Sequence, residues 1–389
     1  MTEPEERPAV RSRARRVVID AALVVLCLGI TWAVCFHHLE HGELGGGDNG
    51  EWRDEARERN TWQSVLDTRY YSGRQGPSAY YNPVQMLVWQ ALLASFDYDT
   101  EIRPYMVFLL IVHSLNVLLV YLLARELVVK RVSSFCAALC FGVFFPNWHT
   151  AGWAAAMITT GVSGLFMLAA LLLFALSFRA HRWLLLSCSV VLYVLALFTK
   201  EFAVFTIPIL GAYSLAVHRE RTLRPRRSDL LLLPYCLATV PMAVIVLSRL
   251  GGSAITNEWG GFNFGVHMAY RFFDYLIYLV TAVPAGPFVK LALAACFLVA
   301  IPFVVWRSFH DRVLAFLATW LVISVSVYSF SNFRDLVTLQ RYLYQPSVPW
   351  FLFLFFVVSR PRGWIGYTLT AVLCATVVGY NIYRIVRYV

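Results

Sequence analysis

Residues 105–124, YMVFLLIVHSLNVLLVYLLA, decide the fold. They contain no Asp, Glu, Lys or Arg, and a helix of this length matches a hydrocarbon core ~30 Å thick. Comparable runs occur at Val17–Phe36, Ile158–Phe178 and Leu293–Trp306. The whole chain is 59% hydrophobic and only 14% charged, against about 25% charged in a soluble domain. The chain therefore reads as an all-α polytopic membrane protein. Within the opening stretch His113 and Asn116 lie three residues apart on one helix face, a spacing that suits polar packing between helices.

No soluble domain interrupts the apolar pattern, so residues 1–389 read as one integral membrane domain. Residues 1–16 form a tail, 37–102 a first loop, and 103–389 the remaining bundle, with about eleven spans in all. The N-terminal MTEPEERPAVRSRARR precedes an apolar stretch that runs past signal-peptide length without a small-residue cleavage site, so it reads as an uncleaved first span. Basic clusters at Arg11–Arg16, Arg125–Arg131, Arg179 and Arg182, Arg219–Arg227, Arg307 and Arg312, and Arg360 and Arg362 then fall on one side. That side is cytoplasmic by the positive-inside rule. The same rule accounts for the formal charge of +10, which calls for no nucleic-acid partner. Two apolar segments fit poorly as spans. Pro83–Phe96 is too short, and Val266–Val283 carries His267, Arg271 and Asp274, so both read as helices lying in the membrane interface. The eight cysteines all fall in apolar segments without metal-site spacing and read as small packing residues.

The first loop is unlike a simple connection. Residues 37–82 hold 8 of the 23 carboxylates, together with Arg and aromatic residues, on the extracytoplasmic side. Asp48, Glu51, Asp54, Glu55, Glu58 and Asp67 are its candidate acids. Elsewhere on that side lie His149, the adjacent pair Lys200 and Glu201, and Arg341. Carboxylates and cations gathered at one face can move protons and hold an anionic group. Lys200 and Glu201 lie between two apolar runs with no loop, where ionisable groups are costly and often functional. Arg341 precedes Pro346 in an aromatic stretch, at headgroup level, where Arg can grip a phosphate. No second ligand accompanies His149 at metal spacing. No motif requires a cofactor, and a divalent cation is left open.

Five segments together resemble the GT-C superfamily of membrane glycosyltransferases, most closely its branch of transmembrane-and-TPR O-mannosyltransferases, although the chain carries no TPR repeats. LLIVHSLNVLLVYLLARELV (109–128) is similar to that branch's LLLHxxNxxLLYxLxRxL segment. YYNPVQMLVW (80–89) resembles its YRPL segment and PNWHTAGW (146–153) its PVHTEAVAW loop. LALFTKEFAVFTIPIL (195–210) is similar to LALLSKExAVxLPLL, and LQRYLYQPSVPW (339–350) to xERYLYLPSVGF. The chain departs from the pattern at Asn82 in place of Arg, at Ala151 or Gly152 in place of Glu, and at Gln340 in place of Glu.

The resemblance implies a GT-C-like bundle of about eleven transmembrane helices with juxtamembrane helices in the first extracytoplasmic loop. It implies transfer of a sugar, with inversion, from a polyprenyl-phosphate carrier to an acceptor hydroxyl on a glycan, lipid or protein. The membrane is then a bacterial plasma membrane or the endoplasmic reticulum, with the N-terminus cytoplasmic. The base is an acid of the first loop: Asp54, followed by Glu55, matches best, and Asp48 is second. Arg341 and Lys200, with Glu201, His149, Arg74 and Tyr81, are the candidate contacts to the lipid phosphate and sugar. A transporter or flippase of lipid-linked solutes, and a non-catalytic scaffold on the same fold, are the alternative readings.

Overall fold

The computed structural model describes residues 8–41, 49–66, 81–99, 101–127, 130–179, 181–218, 229–250, 265, 267–283, 285–329, 340–361 and 363–388. Asp48, Asp67 and Arg74 lie outside them. Among the described residues every regular element is a helix. Seven helical stretches are long and apolar enough to cross a membrane: Val17–Phe36 within α1 (Pro8–His41), α5 (Ile102–Glu126), α8 (Ala154–Ser177), α9 (Arg182–Thr199), α13 (Pro287–Ser308), α14 (Arg312–Ser329) and Trp364–Arg387 within α16 (Trp364–Tyr388). Shorter apolar helices are α6 (Arg131–Val143), α10 (Glu201–Val217), α11 (Leu233–Leu250, apolar from Leu230 to Ile245) and α15 (Tyr344–Val358).

The first loop builds α2 (Asn49–Glu58) and α3 (Thr61–Leu66). Asn60 starts α3 with a reciprocal cap: its Oδ1 accepts from the Gln63 amide at 2.8 Å, and Gln63 Oε1 accepts from the Asn60 amide at 2.9 Å. Pro83 opens α4 (Pro83–Ser95), where its missing N–H costs nothing. Met86, Trp89 and Leu92 face the core, and Gln90 Nε2 donates to the Arg59 carbonyl at 2.6 Å, tying the end of α2 to α4. The second segment that reads poorly as a span becomes α12 (His267–Thr281). Its buried Asp274 is held by Lys290 of α13 at 2.8 Å and faces Arg271 at 3.8 Å.

α6 ends at Val143, and a short α7 (Phe145–Ala151) follows. Pro146 has no N–H to give the Gly142 carbonyl, so the ladder breaks there. Three side chains satisfy the freed groups. His113 Nε2 donates to the Gly142 carbonyl at 2.9 Å while its Nδ1 accepts from the Tyr344 hydroxyl at 2.8 Å. Asn147 Nδ2 donates to the Phe141 carbonyl at 2.8 Å. Asn381 of α16 accepts from the Phe145 amide at 2.7 Å. Asn116 does similar work at the π-helical turn Met157–Gly161 that begins α8, donating to the Gly161 carbonyl at 3.0 Å. The polar pair of the opening stretch is thus an interhelical device that repairs two irregular backbones.

The core runs through α5, α6, α8 and α15. α1 crosses α6 closely: a Cβ on Gly142 would stand 2.5 Å from Thr31 Oγ1. The described cysteines are free thiols; five are buried, and Cys140 and Cys374 pack sulfur to sulfur at 3.9 Å. α13 has no fully buried side chain. Ion pairs fasten one end of the bundle. Asp20 accepts from Tyr121 at 2.6 Å and Arg131 at 3.0 Å, Glu126 meets Arg179 at 2.8 Å, and Asp311 pairs with Arg360. The opposite end carries α2, α4, α7 and the break between α9 and α10.

Candidate active site

Several candidate residues at this second end occupy points where a helix starts or stops. Trp153 lies extended between α7 and α8, and Lys200 lies extended between α9 and α10. Extended backbone between helices turns these side chains across the end of the bundle. Lys200 is buried, and its Nζ donates to Thr160 Oγ1 at 2.9 Å. The ammonium faces the rings of Tyr342 at 5.6 Å and Phe202 at 5.8 Å. The Arg341 guanidinium lies over the Trp153 ring at 4.9 Å and the Tyr342 ring at 5.2 Å. Two cations therefore share one tyrosine. Tyr342 stacks in turn on Tyr328 at 5.0 Å, and the Tyr328 hydroxyl donates to Gln345 Oε1 at 2.9 Å. His149 meets Trp153 edge to face at 6.3 Å.

Glu201 follows Lys200 directly and starts the first turn of α10. Its neighbours are the Lys200 ammonium and the side-chain amide of Asn82, immediately before α4. Tyr81 packs edge to face on Phe198 at 5.9 Å and donates its hydroxyl to the Val65 carbonyl at 2.5 Å, closing α3 over this corner. Arg341, Lys200, Glu201, His149 and Tyr81, selected from scattered stretches of sequence, thus converge on one end of the bundle. Among the described residues, Lys200 and Arg341 against Glu201 give that corner a surplus of positive charge.

The acids of α2 are placed differently. Asn49 Oδ1 accepts from the Ala155 amide at 2.8 Å, docking the start of α2 on the start of α8 beside Trp153. Asp54 points outward, its side chain 58% exposed, and takes a hydrogen bond from Arg53 at 2.9 Å. Arg53 also reaches Asp99 at 2.6 Å and covers the Tyr98 ring at 5.4 Å. The bond to Asp54 raises the Arg53 pKa. Burial raises the Tyr98 phenol, against the pull of that same guanidinium. Glu55 points inward, buried, and pairs with Arg59 one turn on. Among the described residues no group of three or more His, Cys, Asp or Glu side chains is placed to hold a metal ion.

Sequence reasoning assigned no role to Thr160, Tyr328, Tyr342 or Gln85. Tyr342 follows Arg341 within a quoted motif, so adjacency was the available signal. Thr160 and Tyr328 are uncharged residues inside apolar runs, and their part depends on tertiary contact alone.

No protein-family model matches the chain, and no curated protein matches it by sequence. Among solved structures it is similar to the crystal structure of ArnT from Cupriavidus metallidurans bound to undecaprenyl phosphate. The TM-score is 0.56 at 18% identity, over 91% of this chain. The match covers 63% of the ArnT chain, so this protein spans less than two thirds of that structure. At this identity the likeness concerns the fold: the chain folds as an ArnT-like bundle of helices.

Proposed function

We propose that this protein is a membrane glycosyltransferase that moves a sugar from a polyprenyl-phosphate carrier to an acceptor hydroxyl on the extracytoplasmic side. The observation that carries this reading is the pair of cations, Lys200 and Arg341, 5.6 and 5.2 Å from one Tyr342 ring. Two positive charges brought together in a partly dry corner favour an anion between them. A phosphate at the head of a lipid is the anion that suits the end of a membrane bundle. The fold supports the same reading, since the ArnT structure of like fold holds undecaprenyl phosphate.

In the reaction the acceptor oxygen attacks the anomeric carbon, the bond from that carbon to the phosphate oxygen breaks, and the configuration inverts. Negative charge grows on the departing phosphate, and Lys200 and Arg341 stabilise it most at the transition state. The acceptor proton passes to an acid of the first loop. Asp54 is the first candidate, half exposed where an acceptor from the aqueous side can reach it, with Asp48 and Glu55 as the others. Arg53 holds the Asp54 carboxylate in place.

Sugar transfer from undecaprenyl-phosphate hexoses to endogenous acceptors in membranes tests the reading. Lys200→Met and Arg341→Met are each expected to lower transfer about a hundredfold. If the unaltered protein binds such a carrier but transfers nothing, it is a scaffold. Movement of the intact carrier between leaflets without sugar transfer makes it a transporter. Full activity in Asp54→Asn, Asp48→Asn and Glu55→Gln alike removes the first loop as the source of the base.

A further inference from the structure

Among the described residues, three buried polar atoms at the Glu201 corner have no hydrogen-bond partner: Asn82 Oδ1, Gln85 Nε2 and Glu201 Oε2. Asn82 and Gln85 are 3% and 0% exposed. They meet through Asn82 Nδ2, which donates to Gln85 Oε1 at 3.3 Å, and the Asn82 amide also abuts Glu201. Buried polar groups nearly always find partners, and leaving one without is costly. Three together, brought in by the start of α4 and the start of α10, mark a place built for something else. We infer that Asn82, Gln85 and Glu201 form a recognition site for the neutral hydroxyl groups of a sugar, next to the phosphate corner at Lys200; the inference rests on the glycosyltransferase reading above.

The chemistry of the three atoms selects the ligand class. Two are acceptors and one is a donor. A phosphate offers only acceptors at neutral pH and would face the Glu201 carboxylate. An ammonium would find the Gln85 donor turned against it. A hydroxyl both donates and accepts, so two hydroxyls of one ring can satisfy all three atoms. Placement agrees: Glu201 is bonded in sequence to Lys200, so a sugar attached to a phosphate at Lys200 and Arg341 lies within reach of Glu201 and Asn82. A site built to hydrogen-bond hydroxyls also rejects ligands that lack them, because its own groups are then stranded.

Binding separates the inference from the reading beneath it. The probes are undecaprenyl phosphate, undecaprenyl-phosphate carrying glucose, galactose or mannose, and the three matching methyl hexosides, with the full chain in detergent. The unaltered protein is expected to bind at least one lipid-linked hexose about tenfold more tightly than undecaprenyl phosphate. Gln85→Met and Asn82→Leu are each expected to abolish that preference while leaving undecaprenyl phosphate affinity unchanged; thermal melting identifies any variant that fails to fold, and the other then decides. A preference that survives both variants makes the three atoms a water site and overturns the inference. Equal weakening of sugar-bearing and sugar-free lipid overturns it as well. Competition by a methyl hexoside, lost in the same variants, supports the site as one for the acceptor sugar; preference confined to lipid-linked sugar supports the donor. Failure of the unaltered protein to bind any lipid overturns the underlying reading instead.

Discussion

His113 shows how much one side chain can hold. It is buried in α5, yet both ring nitrogens are used, one on the Gly142 carbonyl that Pro146 strands and one on the Tyr344 hydroxyl. His113→Leu keeps the volume and removes both bonds. It is expected to cost about 2–3 kcal/mol, because the carbonyl stays buried without a donor, and thermal melting in detergent measures it. His113→Gln, which keeps a donor, is expected to recover part of the loss. At this scale the sequence was legible where a residue was chemically out of place. His113, Asn116, Lys200 and Glu201 are polar residues in greasy runs, and each proves to be bonded or clustered. It was illegible where an ordinary residue acts through position: nothing in the sequence distinguishes Thr160 from any other membrane threonine. The direction of a loop acid was equally hidden, since Asp54 and its neighbour Glu55 face opposite ways on α2.

At the scale of elements, close packing and buried charge do the fastening. α1 meets α6 at Gly142, where a Cβ would collide with Thr31 Oγ1 at 2.5 Å. Small residues let membrane helices approach in this way. Gly142→Ala is expected to lower stability by about 1–3 kcal/mol, and adding Thr31→Ala to restore most of it; a double-mutant cycle on melting temperature reads the coupling. α12 and α13 are joined by Asp274 and Lys290 at 2.8 Å. Lys290→Leu strands most of the charge on buried Asp274 and is expected to cost about 2–4 kcal/mol, whereas the double variant Asp274→Leu with Lys290→Leu is expected to fall close to the unaltered protein. The better melting of the double variant over the single one is the decisive comparison. Helix existence was legible for the long apolar stretches, where length and apolarity suffice for it, but not for the polar α2 or the short α3. Helix ends were not: the break at Phe144 needed the knowledge that Pro146 strands Gly142 and that three side chains, two of them distant in sequence, repair the damage.

Over the whole molecule, charge pattern and architecture agree. Asp20, Arg131, Glu126, Arg179, Asp311 and Arg360 pair at one end, and the candidate site occupies the other. This makes sidedness measurable. Trp62 on α3 and Trp183 at the start of α9 are 74% and 73% exposed at opposite ends. In a background without native cysteines, Trp62→Cys is expected to react with a membrane-impermeant maleimide in intact cells and Trp183→Cys only after lysis; the reverse pattern inverts the proposed topology. The fold class was legible because a bilayer admits few solutions, and four of the five family-like motifs lie at the ends and breaks where the bundle departs from plain helices. One of those breaks bears on how the chain is made. The Phe145 amide donates to Asn381, more than two hundred residues later. Until α16 leaves the ribosome and packs, that acceptor is missing from the nascent bundle. The completed membrane protein thus holds a contact that its unfinished precursor lacks, and a chaperone or protease that surveys insertion would find the unfinished form locally open at α7.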